Sequence, residues 1–201
     1  MNSLFNFIVS PVGDRYNNKV KVADTELIVN TSMENHRYVN RQAVVVSVPK
    51  AFNTPIKVGD IVLVHFNMFR RYYNMRGEEQ NSGSYFKEDL YFAGMDQIYM
   101  YSKNGKWVSN LEYCFVKPIE ETDPWKTQKE VPLRGILKYS NKSLEAAKIA
   151  SNDLVGFKPN SEFEFIVDGE RLYCMKSNDI TLKYERKGNE KEYNPSWSQS
   201  S

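Results

Sequence analysis

One short pattern occurs twice, half a chain apart, and it constrains the fold more than any other feature. The segment Val58-Gly59-Asp60-Ile61-Val62 follows an apolar stretch, and Asn152-Asp153-Leu154-Val155 follows a second apolar stretch, Val131 to Leu137. Aligning Asp60 with Asp153 shifts the sequence by about half of its 201 residues. A repeat at this spacing predicts two copies of one small β-fold, each large enough to bury a core of its own.

Composition argues against several classes of protein. The 27 Lys and Arg residues against 25 Asp and Glu residues leave a formal charge of +2, too small to indicate a nucleic-acid or acidic-membrane partner. No apolar run approaches the roughly 20 residues of a membrane-spanning helix, and Leu4 to Val9 is too short and too polar for a signal peptide. We therefore expect a cytoplasmic protein that does not bind membranes.

Catalytic and metal-binding motifs are not found in the sequence. Cys114 and Cys174 have no Cys or His close by, which predicts two buried thiols and neither a disulfide nor a metal site. His36 and His65 lack the partners of a catalytic arrangement, and His65 is expected to be an edge residue at the end of a strand. Phosphate-loop, dinucleotide and zinc-hydrolase motifs do not occur. The sequence predicts no enzyme, no cofactor and no metal.

Alternating and apolar segments predict an all-β fold, because Val, Ile and Tyr favour strands. The pairs Asn104-Gly105 and Asp168-Gly169 predict hairpin turns between such segments. Glu162 and Glu164 stand two apart on a predicted strand, so we expect both on one face, towards solvent. The predicted strand segments are Phe5 to Val9, Lys19 to Val22, Glu26 to Val29, Arg41 to Val48, Lys57 to Phe66, Gln97 to Tyr101, Lys106 to Val108, Tyr113 to Val116, Val131 to Leu137, Phe163 to Val167, Arg171 to Met175 and Ile180 to Tyr184.

Turn and linker signals place the domain boundaries. The acidic, proline-bearing segment Glu120 to Pro124 has no strand period and predicts a linker. The tail is polar, although Tyr193 and Trp197 indicate that it contacts another surface. The predicted organisation is a first β-barrel over 1–119 with an insertion at about 68–94, a linker over 120–130, a second, shorter barrel over 131–187, and a polar tail over 188–201.

Two stretches resemble the GroES (chaperonin-10) co-chaperonin family. The first runs from Leu27-Ile28-Val29 through Arg41 to Pro49 and then Lys57 to Val64, in which a Val-Gly-Asp turn introduces a strand. The second, Gly169 to Ile180, is an apolar strand followed by a Ser-x-Asp-Ile turn. The resemblance implies two tandem small GroES-like β-barrels. The chain departs from the family in holding two modules, in its insertion, and in lacking an aliphatic triplet in the second module.

The resemblance also implies a function. Enlarged proteins of this kind are expected of bacteriophages. Leu27, Ile28 and Val29 would dock as an extended segment into an apolar groove of a chaperonin ring, and the protein, itself a homo-oligomer, would cap that ring in the host cytoplasm. The alternative for these residues is an ordinary core strand, because Lys19 to Val22 just before them already alternates.

The insertion interleaves aromatic and basic side chains, which favours a protein contact. Tyr, Met and Arg are favoured in interface cores. The same pattern suits single-stranded nucleic acid, but Glu78 and Glu79 follow at once in a nearly neutral chain, which disfavours that partner. The alternative function is therefore a virion structural or assembly protein that packs against other phage structural proteins and binds no chaperonin. Its predicted contact residues are Phe69, Arg70, Arg71, Tyr72, Tyr73, Arg76, Tyr193 and Trp197.

Overall fold

The computed structural model describes residues 3–17, 19–22, 25–28 and 38–200. Most of these residues outside turns lie in β-strands, which confirms the all-β prediction. The chain divides into two units, Met1–Trp107 and Val108–Ser201.

The first unit is built on a seven-stranded sheet. Its strands are β1 Phe7–Pro11, β2 Lys19–Val22, β3 Thr25–Ile28, β4 Gln42–Ser47, β5 Ile61–Val64, β6 Arg71–Tyr73, β7 Glu79–Asn81, β8 Tyr85–Lys87, β9 Leu90–Ala93, β10 Ile98–Lys103 and β11 Lys106–Ser109. The order in the sheet is β11-β10-β5-β4-β1-β9-β8, while β2 with β3 and β6 with β7 form separate two-stranded sheets. Short 3₁₀ helices cover Phe66–Met68 and Met95–Gln97. The core includes Phe7, Val45 and Val62.

The second unit is built on a six-stranded sheet. Its strands are β12 Tyr113–Glu120, β13 Glu130–Tyr139, β14 Leu154–Phe157, β15 Phe163–Val167, β16 Glu170–Lys176 and β17 Ile180–Tyr184, in the order β15-β16-β12-β13-β14-β17. The helix α1 covers Lys142–Ala146, and 3₁₀ helices cover Ser177–Asp179 and Ser196–Ser200. Across the described ranges, no helix has the length and apolar character needed to cross a membrane.

Local sequence explains several of these elements. In β4, Ala43 and Val45 are buried while Val46 is exposed, as expected of a strand with one face on a core. The turn between β10 and β11 holds Asn104 and Gly105 with φ of 52° and 74°. Two positive φ values in succession are typical of the tight turn that Asn-Gly favours in hairpins.

The two sheets share one connectivity. Read along the first sheet, β8-β9-β1-β4-β5-β10 corresponds strand for strand to β15-β16-β12-β13-β14-β17 in the second. The corresponding strands also follow the same order along the chain in both units. Among the described residues each sheet has two end strands, so neither closes into the barrel expected from the sequence. The all-β class is therefore observed, and closed barrels are not.

The turn that revealed the repeat has the same hydrogen bonds in both units. Asp60 and Asp153 each accept, through Oδ2, a 2.8 Å hydrogen bond from the backbone N–H three residues earlier. The residue before each aspartate has a positive φ, 91° at Gly59 and 75° at Asn152. Asp closes the turn by capping a backbone N–H, and Gly or Asn tolerates the left-handed backbone. The short sequence match therefore corresponds to one structural motif used twice.

The boundary between the units lies earlier than the sequence analysis placed it. The segment Tyr113 to Val116, expected to close the first module, belongs to β12, which pairs with β13 and β16 in the second sheet. The expected linker over 120–130 is a hairpin connection, because Glu120 and Glu130 face each other across β12 and β13. Strand β12 runs through Pro118 to Glu120, with a register shift between these two residues.

Two long connections distinguish the first unit from the second. Between β1 and β4 lies the β2–β3 hairpin, where the second unit has only residues 121–129. Between β5 and β8 lies the β6–β7 hairpin over residues 65–84, where the second unit has only residues 158–162. The extra segment therefore starts near the expected residue 68 but ends earlier than residue 94, because β8 and β9 belong to the shared framework.

Candidate functional site

The aliphatic triplet lies in the long connection between β1 and β4. Leu27 and Ile28 belong to β3, where they pair with Val20 and Lys19 of β2. Val29 lies outside the described residues. In the described part of the chain, the β2–β3 hairpin is a two-stranded sheet of its own and adds no strand to the seven-stranded sheet. The candidate residues are therefore carried by a hairpin and do not belong to a strand of the main sheet.

Hydrogen bonds join the two ends of this connection at its base. The side-chain amide of the buried Asn40 donates to the carbonyl oxygens of Val12 at 2.7 Å and Asp14 at 3.0 Å. Tyr16 and Val39 form an isolated antiparallel bridge just beyond. The connection between β1 and β4 therefore leaves and rejoins the sheet at neighbouring positions that these hydrogen bonds hold together.

The β6–β7 hairpin is exposed to solvent and has an ordered tip. At the tip, Oδ1 of Asn74 accepts hydrogen bonds from the backbone N–H groups of Arg76 at 2.9 Å and Glu78 at 3.0 Å. Tyr72 and Tyr73 are exposed on β6, and the Met75 side chain at the tip is fully exposed. The hairpin presents aromatic and apolar side chains to solvent from a defined turn.

Two arginines fix the base of this hairpin. Arg71 was a predicted contact residue, and Arg15 was not. Arg15 donates to the carbonyl oxygen of Phe69 at 3.0 Å and 3.2 Å, and to Oδ1 of Asn81 at 2.9 Å. Arg71 forms a 2.7 Å ion pair with Glu79 and stacks over the Tyr16 ring, 5.4 Å from its centre. Arg71 therefore stabilises the hairpin from within.

Only part of the predicted contact set is exposed on the first unit. Phe69 is fully buried in the core, where its ring meets the Tyr91 ring edge-on at 4.8 Å, so it does not belong to an exposed surface. Arg70 is half-buried, and its Nε is buried without a hydrogen-bond partner. Tyr72, Tyr73 and Arg76 are exposed. An interleaved run of aromatic and basic residues does not reveal which side chains turn inwards.

The other two predicted contact residues, Tyr193 and Trp197, lie on a tail that packs against the second unit. The backbone N–H of Tyr193 donates to the Pro118 carbonyl at 2.8 Å. Asn194 accepts from the backbone N–H of Arg171 at 2.9 Å and donates to the Gly169 carbonyl at 3.0 Å. The segment 188–200 is therefore part of the second unit, held by backbone and side-chain hydrogen bonds.

A network of charged groups lies beside this tail. Arg171 donates to Glu164 at 2.6 Å, to Glu130 at 2.8 Å and to the Tyr173 hydroxyl at 2.7 Å. The Tyr173 hydroxyl in turn donates to Glu130 at 2.7 Å. Burial and the hydrogen bond to Glu130 both raise the pKa of Tyr173. Glu164 is exposed as expected, although Arg171 binds it, whereas Glu162 is only partly exposed. No local sequence pattern indicated this network.

Trp125 is a further exposed side chain, and the contact residues predicted from the sequence did not include it. Trp125 is 92% exposed on the connection between β12 and β13, the position that the triplet segment occupies in the first unit. The turn is ordered, because Asp123 accepts from the Trp125 backbone N–H at 3.0 Å and Lys126 pairs with Glu121 at 2.6 Å. The hydrogen bond from Lys126 lowers the pKa of Glu121. The sequence Asp123-Pro124-Trp125 could have indicated a turn that exposes an aromatic side chain.

The two cysteines are buried thiols, and His65 caps a short helix. Cys114 and Cys174 are free and buried, which confirms the expected burial of both thiols, and burial raises the pKa of Cys114 to about 12. His65 lies just after β5, where its Nδ1 accepts from the Asn67 backbone N–H and caps a 3₁₀ helix. His36 lies outside the described residues. The described ranges contain no group of three or more His, Cys, Asp or Glu side chains that could hold a metal ion.

Comparison with models of known protein families gives no match, and neither does comparison with curated protein sequences.

Proposed function

We propose that this protein is a co-chaperonin-like folding accessory that binds a chaperonin ring through Leu27, Ile28 and Val29. The observation that carries the proposal is the position of Leu27 and Ile28 on a hairpin that is separate from the main sheet and whose base is fixed by Asn40. A site held at its base can meet a partner without rearrangement of the sheet.

A two-stranded sheet has little stability of its own. An isolated two-stranded hairpin is only marginally stable in water, so its strands gain by pairing or packing with a partner. Aliphatic side chains of an extended segment that enter an apolar groove each contribute about 1.5–3 kcal/mol. A homo-oligomer that presents several copies at once multiplies such contacts through avidity.

The experiment is light scattering coupled to gel filtration, first with the protein alone and then with a chaperonin and nucleotide. We expect an oligomer that co-elutes with the chaperonin only when nucleotide is present. Ile28→Asp should abolish co-elution while the circular dichroism spectrum stays unchanged, because a charge cannot enter an apolar groove unpaired.

Thr25→Asp is the matched control, since it adds the same charge to the same strand outside the triplet. It should leave co-elution intact. A protein that ignores chaperonin in all conditions would overturn the proposal. So would an Ile28→Asp variant that unfolds, because that result would assign Ile28 to a core.

A second candidate function is a virion structural or assembly protein, and the β6–β7 hairpin favours it. Tyr72, Tyr73 and Met75 form an exposed apolar set on an ordered turn. Replacing all three with Ser should block association with assembled particles in co-sedimentation and leave the protein folded. Arg71 is left unchanged in this variant, because it pairs with Glu79 inside the hairpin. Unchanged co-sedimentation of the triple variant would contradict this candidate.

A further inference from the structure

A cleft of about 460 Å³ in the second unit lies outside both proposed contact regions of the first unit. Its walls come from the start of β13, the end of β14, the residue before β15, the strand β16 and the C-terminal segment. Five separate parts of the chain thus converge on one concave surface. Concave sites with convergent polar groups are the usual form of binding sites.

Aromatic side chains form much of the cleft. Phe157, Tyr173, Tyr193 and Trp197 all line it, and Leu133 adds an exposed aliphatic surface. Trp197 keeps 50% of its surface exposed although the tail that carries it is hydrogen-bonded in place. Arg171 lies over the Trp197 ring, 5.9 Å from its centre, and the exposed half of the indole is the surface on which a ligand can pack.

One carboxylate oxygen of the cleft has no hydrogen-bond donor. Arg171 is already neutralised, because Glu130 and Glu164 both bind its guanidinium group. Glu162 also lines the cleft, and its Oε2 is buried without a hydrogen-bond partner. The residues that line the cleft include two carboxylates, Glu130 and Glu162, and two cations, Lys129 and Arg171, of which Lys129 is exposed. A buried carboxylate oxygen without a donor is costly, so the site favours a ligand that brings positive charge and N–H donors.

We propose that this cleft binds a lysine or arginine side chain from an extended segment of a partner protein. The cationic head pairs with the Glu162 carboxylate, and the alkyl stem packs against Leu133 and the face of Trp197. Long basic side chains combine an apolar stem with a charged head, and cations are attracted to the faces of aromatic rings. An anionic ligand is disfavoured, because it would meet Glu162 while Arg171 is already paired and Lys129, the other cation of the cleft, is exposed to solvent.

The test uses the full chain and three acetylated, amidated pentapeptides that differ only at the centre: lysine, norleucine or glutamate between alanines. The readout is the indole N–H signal of Trp197 in two-dimensional NMR, assigned with Trp197→Phe among the three tryptophans of the chain. We expect the lysine peptide to shift this signal saturably, with a Kd of about 1 mM, typical of one weak side-chain contact. Norleucine should bind about tenfold more weakly, and glutamate should not bind.

Glu162→Gln keeps the shape of the side chain and removes its charge. It should weaken the lysine peptide about tenfold, since bonds between charged groups are the stronger ones. Glu185→Gln, an exposed carboxylate that does not line the cleft, is the matched control and should change nothing. Equal binding of lysine and norleucine peptides, an unchanged affinity in Glu162→Gln, or no shift at about 10 mM peptide, ten times the expected Kd, would each overturn the proposal.

Discussion

Replacing Phe69 with Ala tests whether the aromatic-basic segment is partly core and partly surface. Phe69 is fully buried, and its ring lies edge-on to the Tyr91 ring at 4.8 Å within the first unit's core. The substitution removes only the ring, because the two hydrogen bonds from Arg15 reach the Phe69 carbonyl oxygen. The loss should therefore report packing and leave the backbone contact in place.

The size of the effect follows from that packing. Burying a Phe side chain contributes about 1.5–3 kcal/mol, and an aromatic pair adds about 0.5–1.5 kcal/mol. With the cavity left behind, Phe69→Ala should destabilise the first unit by about 3–5 kcal/mol. For a unit of this size, each kcal/mol lowers Tm by roughly 4 °C or more, so a fall of at least about 12 °C is expected.

Tyr73→Ala is the matched control, since Tyr73 lies in the same segment with 53% of its surface exposed. It should change the free energy of unfolding by less than about 0.5 kcal/mol. Urea unfolding gives the magnitudes, and hydrogen exchange resolved by peptide shows that the loss falls on β9 and its neighbours. A loss below about 1 kcal/mol for Phe69→Ala, or an equal loss for Tyr73→Ala, would refute the reasoning.

Two further substitutions test the framework. Gly135→Ala should destabilise the second unit by about 2 kcal/mol in thermal unfolding, because the new Cβ would lie 2.5 Å from the Lys117 carbonyl oxygen. The first unit has Ala43 at the corresponding position. An unchanged stability of Gly135→Ala would contradict the prediction. Burial and then Arg41 lower the pKa of His65 below its usual 6.5, so the unfolded chain binds more protons there and stability should rise with pH up to about 6.5. His65→Asn keeps a capping acceptor and should flatten the dependence of the unfolding free energy on pH, measured by urea unfolding at several pH values. An unchanged pH dependence would show that His65 is not its source.

The sequence was sufficient for features that depend on local chemistry. Strand periods predicted the all-β class, and the turns at Asp60 and Asp153 stood out because Gly or Asn before Asp is a strong turn signal. The hairpin at Asn104-Gly105 was predictable for the same reason. Each of these signals lies within a few residues of chain.

Features that depend on distant pairing were not predictable. Glu130 and Arg171 meet only because β13, β12 and β16 lie side by side, and no local pattern encodes that order. The boundary was misplaced because Pro118 and the acidic stretch after it have the composition of a linker, while β12 tolerates a proline at an irregular position. The inward turn of Phe69 depends on the packing of β9, which a single segment does not reveal.

The unequal lengths of the corresponding connections have an entropic consequence. The first unit joins β1 to β4 through residues 12–41, whereas the second joins β12 to β13 through residues 121–129. Closing the longer connection costs about 1 kcal/mol more in chain entropy, since the cost grows with the logarithm of length. The penalty is small beside the contribution of a single buried aliphatic side chain. One framework can therefore carry long connections in one copy and short turns in the other, with little effect on the stability of either.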